Sequence, residues 1–225
     1  MSSLKIALVV DHFLPRIGGI ELQVRDLARE LKNLGHTPHI ITCTPGDLDL
    51  GDIPIHRLPV RLMPGFKILM QAKGLRLLQE LIEKEKFDVL HSHGSVVSPL
   101  AYGSLKVAHQ QNLPTLFTGH SLWEFSTPTF KLLYHIFGGK RWNLRLSAVS
   151  SEVAKGMEKA TGGKRVEVIP NAIHPEDWKV SFKPHAQLNI TSVLRLNRKK
   201  RAQALIRSIP EILKKIPNPQ LVNFN

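Results

Sequence analysis

Cysteine is nearly missing from this chain of 225 residues: Cys43 is the only one, so no intrachain disulfide can form. That excludes a disulfide-stapled secreted scaffold, fits reducing conditions and leaves the apolar core to hold the fold. Cys43 itself is expected on a buried strand. Long apolar runs are lacking too. The one near the start, Ile6 to Val10, is closed by Asp11 and is too short for a signal peptide or a membrane span, so the protein is expected to stay in the cytoplasm. Aromatic residues make up 6%, which leaves little to stack on nucleic-acid bases. Acids are outnumbered 18 to 31 by Lys and Arg, a formal charge of +13, but the excess is local. From Ser181 onward nine Lys and Arg face one acid, Glu211, so +8 of the +13 sits in the last fifth of the chain. An excess that confined suits a polyphosphate contact rather than a surface that tracks nucleic acid, and nucleic acid is not an expected partner. The dinucleotide fingerprint G-x-G-x-x-G is absent as well.

What is present is a composition of 42% hydrophobic and 22% charged residues, that of a soluble globular protein, long enough for one complete core and part of a second. The chain is organised around Lys5 to Glu21, KIALVVDHFLPRIGGIE. Ile6 to Val10 is apolar without alternation, as in a parallel strand covered on both faces. Gly18 and Gly19 then open a helix whose stripe is expected to be Ile20, Val24, Leu27, Leu31 and Leu34. Two glycines at a helix start let a ligand approach the backbone, and free N–H groups with the helix dipole favour a phosphate there; they also serve simply to make the turn.

Alternation of strands and helices continues. Strands are predicted at Thr37–Thr44, Ile53–Val60, Asp88–His91, Thr115–Thr118, Leu144–Ser150 and Val166–Ile169, with helices near 66–86, 99–111 and 151–161. This is the pattern of an α/β fold with a doubly wound parallel sheet. Arg57, Arg61, Lys67, Lys73 and Arg76 flank apolar residues around the second helix, which reads either as an ordinary basic surface or as a peripheral contact with anionic lipid. The text between Asn171 and about Leu188 is aperiodic. A second unit then starts with a strand from Asn189 and a helix at 202–213, in which Pro210 is expected to make a kink. The expected domains are 1–171, a linker at 172–187, and 188–225, the last too small for an independent core and expected to be loosely packed with Leu205, Ile209 and Ile212 exposed.

Polar residues gather where strands end, the edge at which open parallel sheets bind ligands. They are His12, Gly18 and Gly19, His91 and His93, and His120; across the linker stand Arg195, Lys199 and Lys200. His91 and His93 are two apart, so on extended chain both rings point one way. A metal-dependent hydrolase would use them with His120; a core histidine and a loop histidine are the plainer alternative.

In this order the segments FLPRIGGIELQVRDLARELKNLGH, FDVLHSHGS, VEVIPNAIHPEDW and SVLRLNRKKRAQALI resemble the retaining glycosyltransferases of family four, which have the two-domain B fold. LHSHGS, LFTGHSLWEF and VIPNAIHP are nearest to members that act on a lipid acceptor. The resemblance implies a Rossmann-like acceptor-side domain, the start of a second such domain, and transfer of a sugar from a nucleotide-sugar donor to a lipid or glycan hydroxyl with retention. Under it, Gly18 and Gly19 approach the donor diphosphate, His120 lies beside the transferred sugar, and Arg195 and Lys200 clamp the diphosphate. Those two cations take the part a metal plays elsewhere, so no metal or other cofactor is implied.

The chain also departs from the family's pattern. Leu194 and Arg201 stand where the family has glycines, and its glutamate pair, spaced by seven residues, would fall beyond Asn225. The expectation is therefore a truncated enzyme, inactive alone, to which a second polypeptide supplies the rest of the donor domain. A non-catalytic module that binds an acceptor or anionic ligand is the alternative, and peripheral attachment at the inner face of a membrane suits both.

Overall fold

A computed structural model describes residues 2–60, 72–123, 127–136, 139–173, 175–179, 189–194, 200–216 and 220–224. By internal contacts the chain divides into Met1–Ile173 and His174–Asn225. In the first unit seven parallel strands form one sheet: β1 (Lys5–Val10), β2 (Thr37–Thr42), β3 (Ile55–Arg57), β4 (Val89–Gly94), β5 (Thr115–Gly119), β6 (Leu144–Ala148) and β7 (Val166–Val168), in the order β3-β2-β1-β4-β5-β6-β7. The helices are α1 (Gly19–Asn33), α2 (Ala72–Glu85), α3 (Pro99–Gln110), α4 (Thr127–Ile136) and α5 (Ser151–Thr161).

Strand alternation assigns the two faces. Ile6, Leu8, Val10 and Ile40 meet Val24 and Ala28 of α1, while Ala7, Val9 and Ile41 meet Leu78 and Ile82 of α2 and Leu100 and Val107 of α3. Phe117, Leu146 and Ala148 pack with Val153 and Met157 of α5 on the side of Ala101 and Leu105 of α3. Starting from β1 the chain moves outward to β3, returns to β4 and proceeds to β7. The helices after β1 and β4 thus leave toward opposite faces, and a crevice opens at the carboxyl ends of these neighbouring strands.

Local chemistry sets the boundaries. The Ser150 hydroxyl accepts the Val153 N–H at the start of α5, and Gly162 ends that helix in the left-handed region at φ 73. Asp11, buried just past β1, accepts the N–H groups of Leu100 at 2.9 Å and Ala101 at 3.3 Å, so a carboxylate ties β1 to the first turn of α3.

Several expectations are corrected. Leu34 is the C-cap of α1 and 73% exposed, because the buried stripe runs through Val24 and Ala28. Cys43 lies one residue beyond β2 and is half-buried, its N–H bonded to the Asp11 carbonyl. β4 does not stop at His91 but pairs with β1 and β5 through His93 and, on the β5 side, Gly94. Arg57 turns inward to donate to the carbonyls of Thr44 and Leu14, whereas Lys73 and Arg76 are exposed on α2; Arg61 and Lys67, and the start expected for that helix, lie outside the described residues.

In the second unit β8 (Asn189–Val193) pairs in parallel with β9 (Gln220–Phe224), and α6 (Ala202–Leu213) connects toward it. No described residue of α6 is buried, but Leu205, Ile209 and Ile212 are half-buried, and the exposed apolar residues are Ile206 and Leu213 instead.

Close packing at the strand ends is testable. A methyl group on Gly119 would run into Sδ of Met157, which is itself only 1% exposed. Gly119→Ala is expected to cost about 1–3 kcal/mol by overpacking, measured by chemical denaturation; unchanged stability would mean that this core is looser than described.

Candidate functional site

The carboxyl edge brings most of the sequence-predicted residues together. Because β4 extends to Gly94, His91 and His93 are successive residues on one face of a strand, with ring centroids 4.0 Å apart. His120 follows β5, held by its N–H to the Gly94 carbonyl at 2.9 Å. Its Nε2 is 3.1 Å from Nδ1 of His93. His91 instead turns its Nε2 to the Thr118 hydroxyl at 2.7 Å, and Thr118 is 2.7 Å from the Ser147 hydroxyl. A continuous polar row therefore crosses the ends of β4, β5 and β6.

Burial keeps these rings neutral. His120 is held down to about 4 and His91 to about 3 by loss of solvent, with charge repulsion from His120 adding to His91; His93, fully enclosed, is also pushed well below its ordinary value of 6.5 by burial. Nε2 of His93 is buried with no hydrogen-bond partner among the described residues. A bare lone pair is cheaper there than a stranded N–H, so the hydrogen-bond network assigns the proton to Nδ1 of His93, donating to Nε2 of His120. His120 then carries its own N–H on Nδ1.

On the β1 side, Gly18 caps α1 with extended backbone and no side-chain bond, and the space above Gly19 is open. The cradle is only partly free, because the buried Glu21 carboxylate folds back over Gly18, 3.9 Å from Nε of Arg16. His12 follows Asp11 and is half-buried, its imidazole held below its usual range by burial and by Arg16. Asp11 itself is raised to about 6 by burial, against the lowering effect of the α3 N–H groups.

Among the described residues His91, His93 and His120 do not bring three ligand nitrogens to one point: Nδ1 of His93 faces Nε2 of His120, while Nε2 of His91 faces the Thr118 hydroxyl. Arg195 and Lys199 lie outside the described residues; Lys200 is exposed in the second unit. Arg201, where the resemblance expects glycine, has φ 55, in the left-handed region that glycine enters without strain. Sequence reasoning takes Asp11 merely as the end of a strand and passes over Thr118 and Ser147. The available signal is an acid closing β1 together with Pro99 opening a helix, whose free N–H groups need an acceptor.

Known proteins resemble this chain in sequence and in fold. The family model described as Glycosyltransferase Family 4 matches residues 17–177. A Homo sapiens phosphatidylinositol N-acetylglucosaminyltransferase subunit is 30% identical over 224 residues, covering 95% of this chain and 46% of that protein. A GDP-mannose-dependent alpha-mannosyltransferase of Mycobacterium tuberculosis is 26% identical over 142 residues, 60% of this chain and 36% of the relative. In fold, a glycosyltransferase from Rickettsia africae ESF-5 superposes with a TM-score of 0.66 at 20% identity, covering 100% of this chain and 69% of that one. The chain spans about half the length of the first of these relatives. With Gly18, Gly19, His93 and His120 all inside the matched span, the chain belongs to glycosyltransferase family 4.

Proposed function

We propose that residues 1–171 are the acceptor-side domain, 172–187 a linker and 188–225 the beginning of the donor-binding domain of a transferase. That transferase moves a sugar from a nucleoside diphosphate to a hydroxyl acceptor with retention of configuration. The observation that carries this is the placement, at the carboxyl ends of neighbouring strands, of the helix start at Gly18 and Gly19 after β1 and the buried neutral His93–His120 pair on β4 and after β5. A helix N-terminus suits a diphosphate, and a neutral imidazole can donate to a sugar or phosphate oxygen without trapping it as an ion pair.

In the reaction the bond from the anomeric carbon to the diphosphate oxygen breaks, and the acceptor oxygen bonds to that carbon on the same face. The leaving phosphate takes the acceptor's proton. Charge builds on the leaving oxygen, and the family resemblance gives its stabilisation to Arg195 and Lys200; one well-placed donor supplies roughly 3 kcal/mol in such sites. His93 sets the tautomer of His120.

A lipid acceptor is favoured by the name of the human relative and by three apolar side chains on the loops of this edge, Ile17, Val97 and Leu122, exposed by 68%, 41% and 55%. Among the described residues no helix is long and apolar enough to cross a membrane. Peripheral contact at the cytoplasmic face of a membrane is the arrangement that brings those side chains to lipid.

Calorimetric titration of the chain with uridine and guanosine diphosphate sugars tests it. One of them is expected to bind, and Arg195→Ala to weaken that binding about tenfold or more, the range for a charge-assisted hydrogen bond. Binding of neither sugar would contradict the proposal.

The neutrality of the histidines has its own consequence. Between about pH 6.5 and 4 the unfolded chain takes up protons that His91, His93 and His120 refuse in the fold, as does His39, also held to about 4. Their contribution is present in full above 6.5 and is lost as pH falls toward 4. Asp11, raised from 3.8 to about 6, acts in the opposite sense, but it is one group against these four and the likewise lowered His12 and His56. The melting temperature is expected to fall between pH 7.5 and 5, less steeply in His120→Asn; a flat or rising profile would show that these rings are charged or solvated.

A further inference from the structure

At the other end of the sheet, away from the crevice, three side chains from three elements face one another. His39 lies on β2, His56 on β3, and Glu85 is the last residue of α2. The register pairs Ile41 with His56, and Ile41 is two residues beyond His39, so both imidazoles stand on the face that α2 covers. Nδ1 of His39 is 2.9 Å from Nε2 of His56, and the rings lie end to end, with centroids 5.2 Å apart and planes inclined by 13°. Oε2 of Glu85 is 4.0 Å from Nδ1 of His39. One nitrogen from each ring and one carboxylate oxygen all lie within 4.8 Å of one another. We propose that His39, His56 and Glu85 form a binding site for a divalent transition-metal ion of the zinc class, clipping β2 and β3 to the end of α2.

The donor set fits that class: two imidazoles and a carboxylate suit a borderline ion, and harder cations prefer all-oxygen sites. Neutral rings and an ionised carboxylate are the forms that ligate, so binding is expected to weaken as pH falls. Zn–N bonds of about 2.0–2.1 Å at a tetrahedral angle place two nitrogens about 3.3 Å apart. To share an ion the two imidazoles, now end to end, must each swing so that the facing nitrogen turns from the other ring to the ion, parting by a few tenths of an ångström. The Glu85 oxygen, 4.0 Å from Nδ1 of His39, closes by roughly 0.7 Å or more.

In the metal-free arrangement one ring donates to the other across the 2.9 Å contact. An ion needs the lone pairs of both nitrogens, so the donating ring moves its proton to its other nitrogen and no net proton leaves. The competitor is Lys5, whose Nζ is 2.7 Å from Oε2 of Glu85 and also donates to the Glu85 carbonyl at 2.7 Å. Binding exchanges an ammonium–carboxylate pair for a metal–carboxylate bond. The site is remote from the histidine row of the carboxyl edge, and its role is to hold the fold rather than to touch the transferred sugar.

Chelator-treated chain titrated with zinc chloride, by calorimetry and by thermal melting, tests the site. One ion per chain is expected, with a rise in melting temperature. His56→Ala and Glu85→Gln should each weaken binding at least about tenfold, as loss of even supporting groups does at metal sites, and Lys5→Met should strengthen it. Because a variant can fail to fold, the wild-type chain is also followed by imidazole nitrogen resonances, where zinc should move His39 and His56 and leave His93 and His120 in place. Absence of stoichiometric binding, unchanged affinity in the variants, or shifts confined to other histidines would overturn the site.

Discussion

The pairing of β1 with β4 is the constraint on which the rest depends. These strands are neighbours although the chain makes two further strands and two helices between them, and their register sets Val10 beside His93. That one alignment puts Asp11 within reach of the first turn of α3, puts the opening of α1 beside the histidine row, and fixes the crevice between helices that leave toward opposite faces. A slip of one residue would turn every side chain of β4 to the other face, moving His91 and His93 into the apolar layer under α3. Such a slip is opposed from both sides, since Ala7 and Val9 must meet α2 and α3 while Leu8 and Val10 must meet α1.

Much of this architecture is legible in the residues because the buried strands are continuous apolar runs and the helix ends carry their own signals. Ser150 and Gly162 bracket α5, and its bounds follow from them. Legibility fails where polar residues are buried. Ser92 and His93 look like the chain leaving a strand that ends at His91, because the sequence does not reveal that the neighbouring strands will pair with them. Leu34 looks like core because periodicity continues one residue past the helix that it ends. α4 is not among the elements read from the sequence, and it rests against α5 by tertiary contact. At the site, the glycines and histidines announce themselves by type and order, whereas Asp11, Thr118 and Ser147 act through contacts that only the fold creates.

The two ends of the sheet use histidine differently. At the carboxyl edge the rings are linked to hydroxyls and to one another, and their neutrality prepares a donor without a fixed charge. At the amino end His39 and His56 face a carboxylate and an ammonium, a balance that an added cation can tip. Burial drives the protonation in both places, and the partners decide what it is used for. The Glu21 carboxylate over Gly18 belongs in the same balance, because it holds the approach to α1 that a diphosphate would take. An anion entering there meets Glu21 first, and Arg16 is the cation toward which that carboxylate can turn.

The most direct measurement is the map of amide and imidazole resonances that change when a uridine or guanosine diphosphate sugar is added to the isotopically labelled chain. Changes concentrated at Gly18, Gly19, Glu21, His93 and His120, with β2, β3 and the end of α2 unmoved, are expected if the switch-point crevice holds the donor. Changes elsewhere, or none at saturating sugar nucleotide, would contradict it.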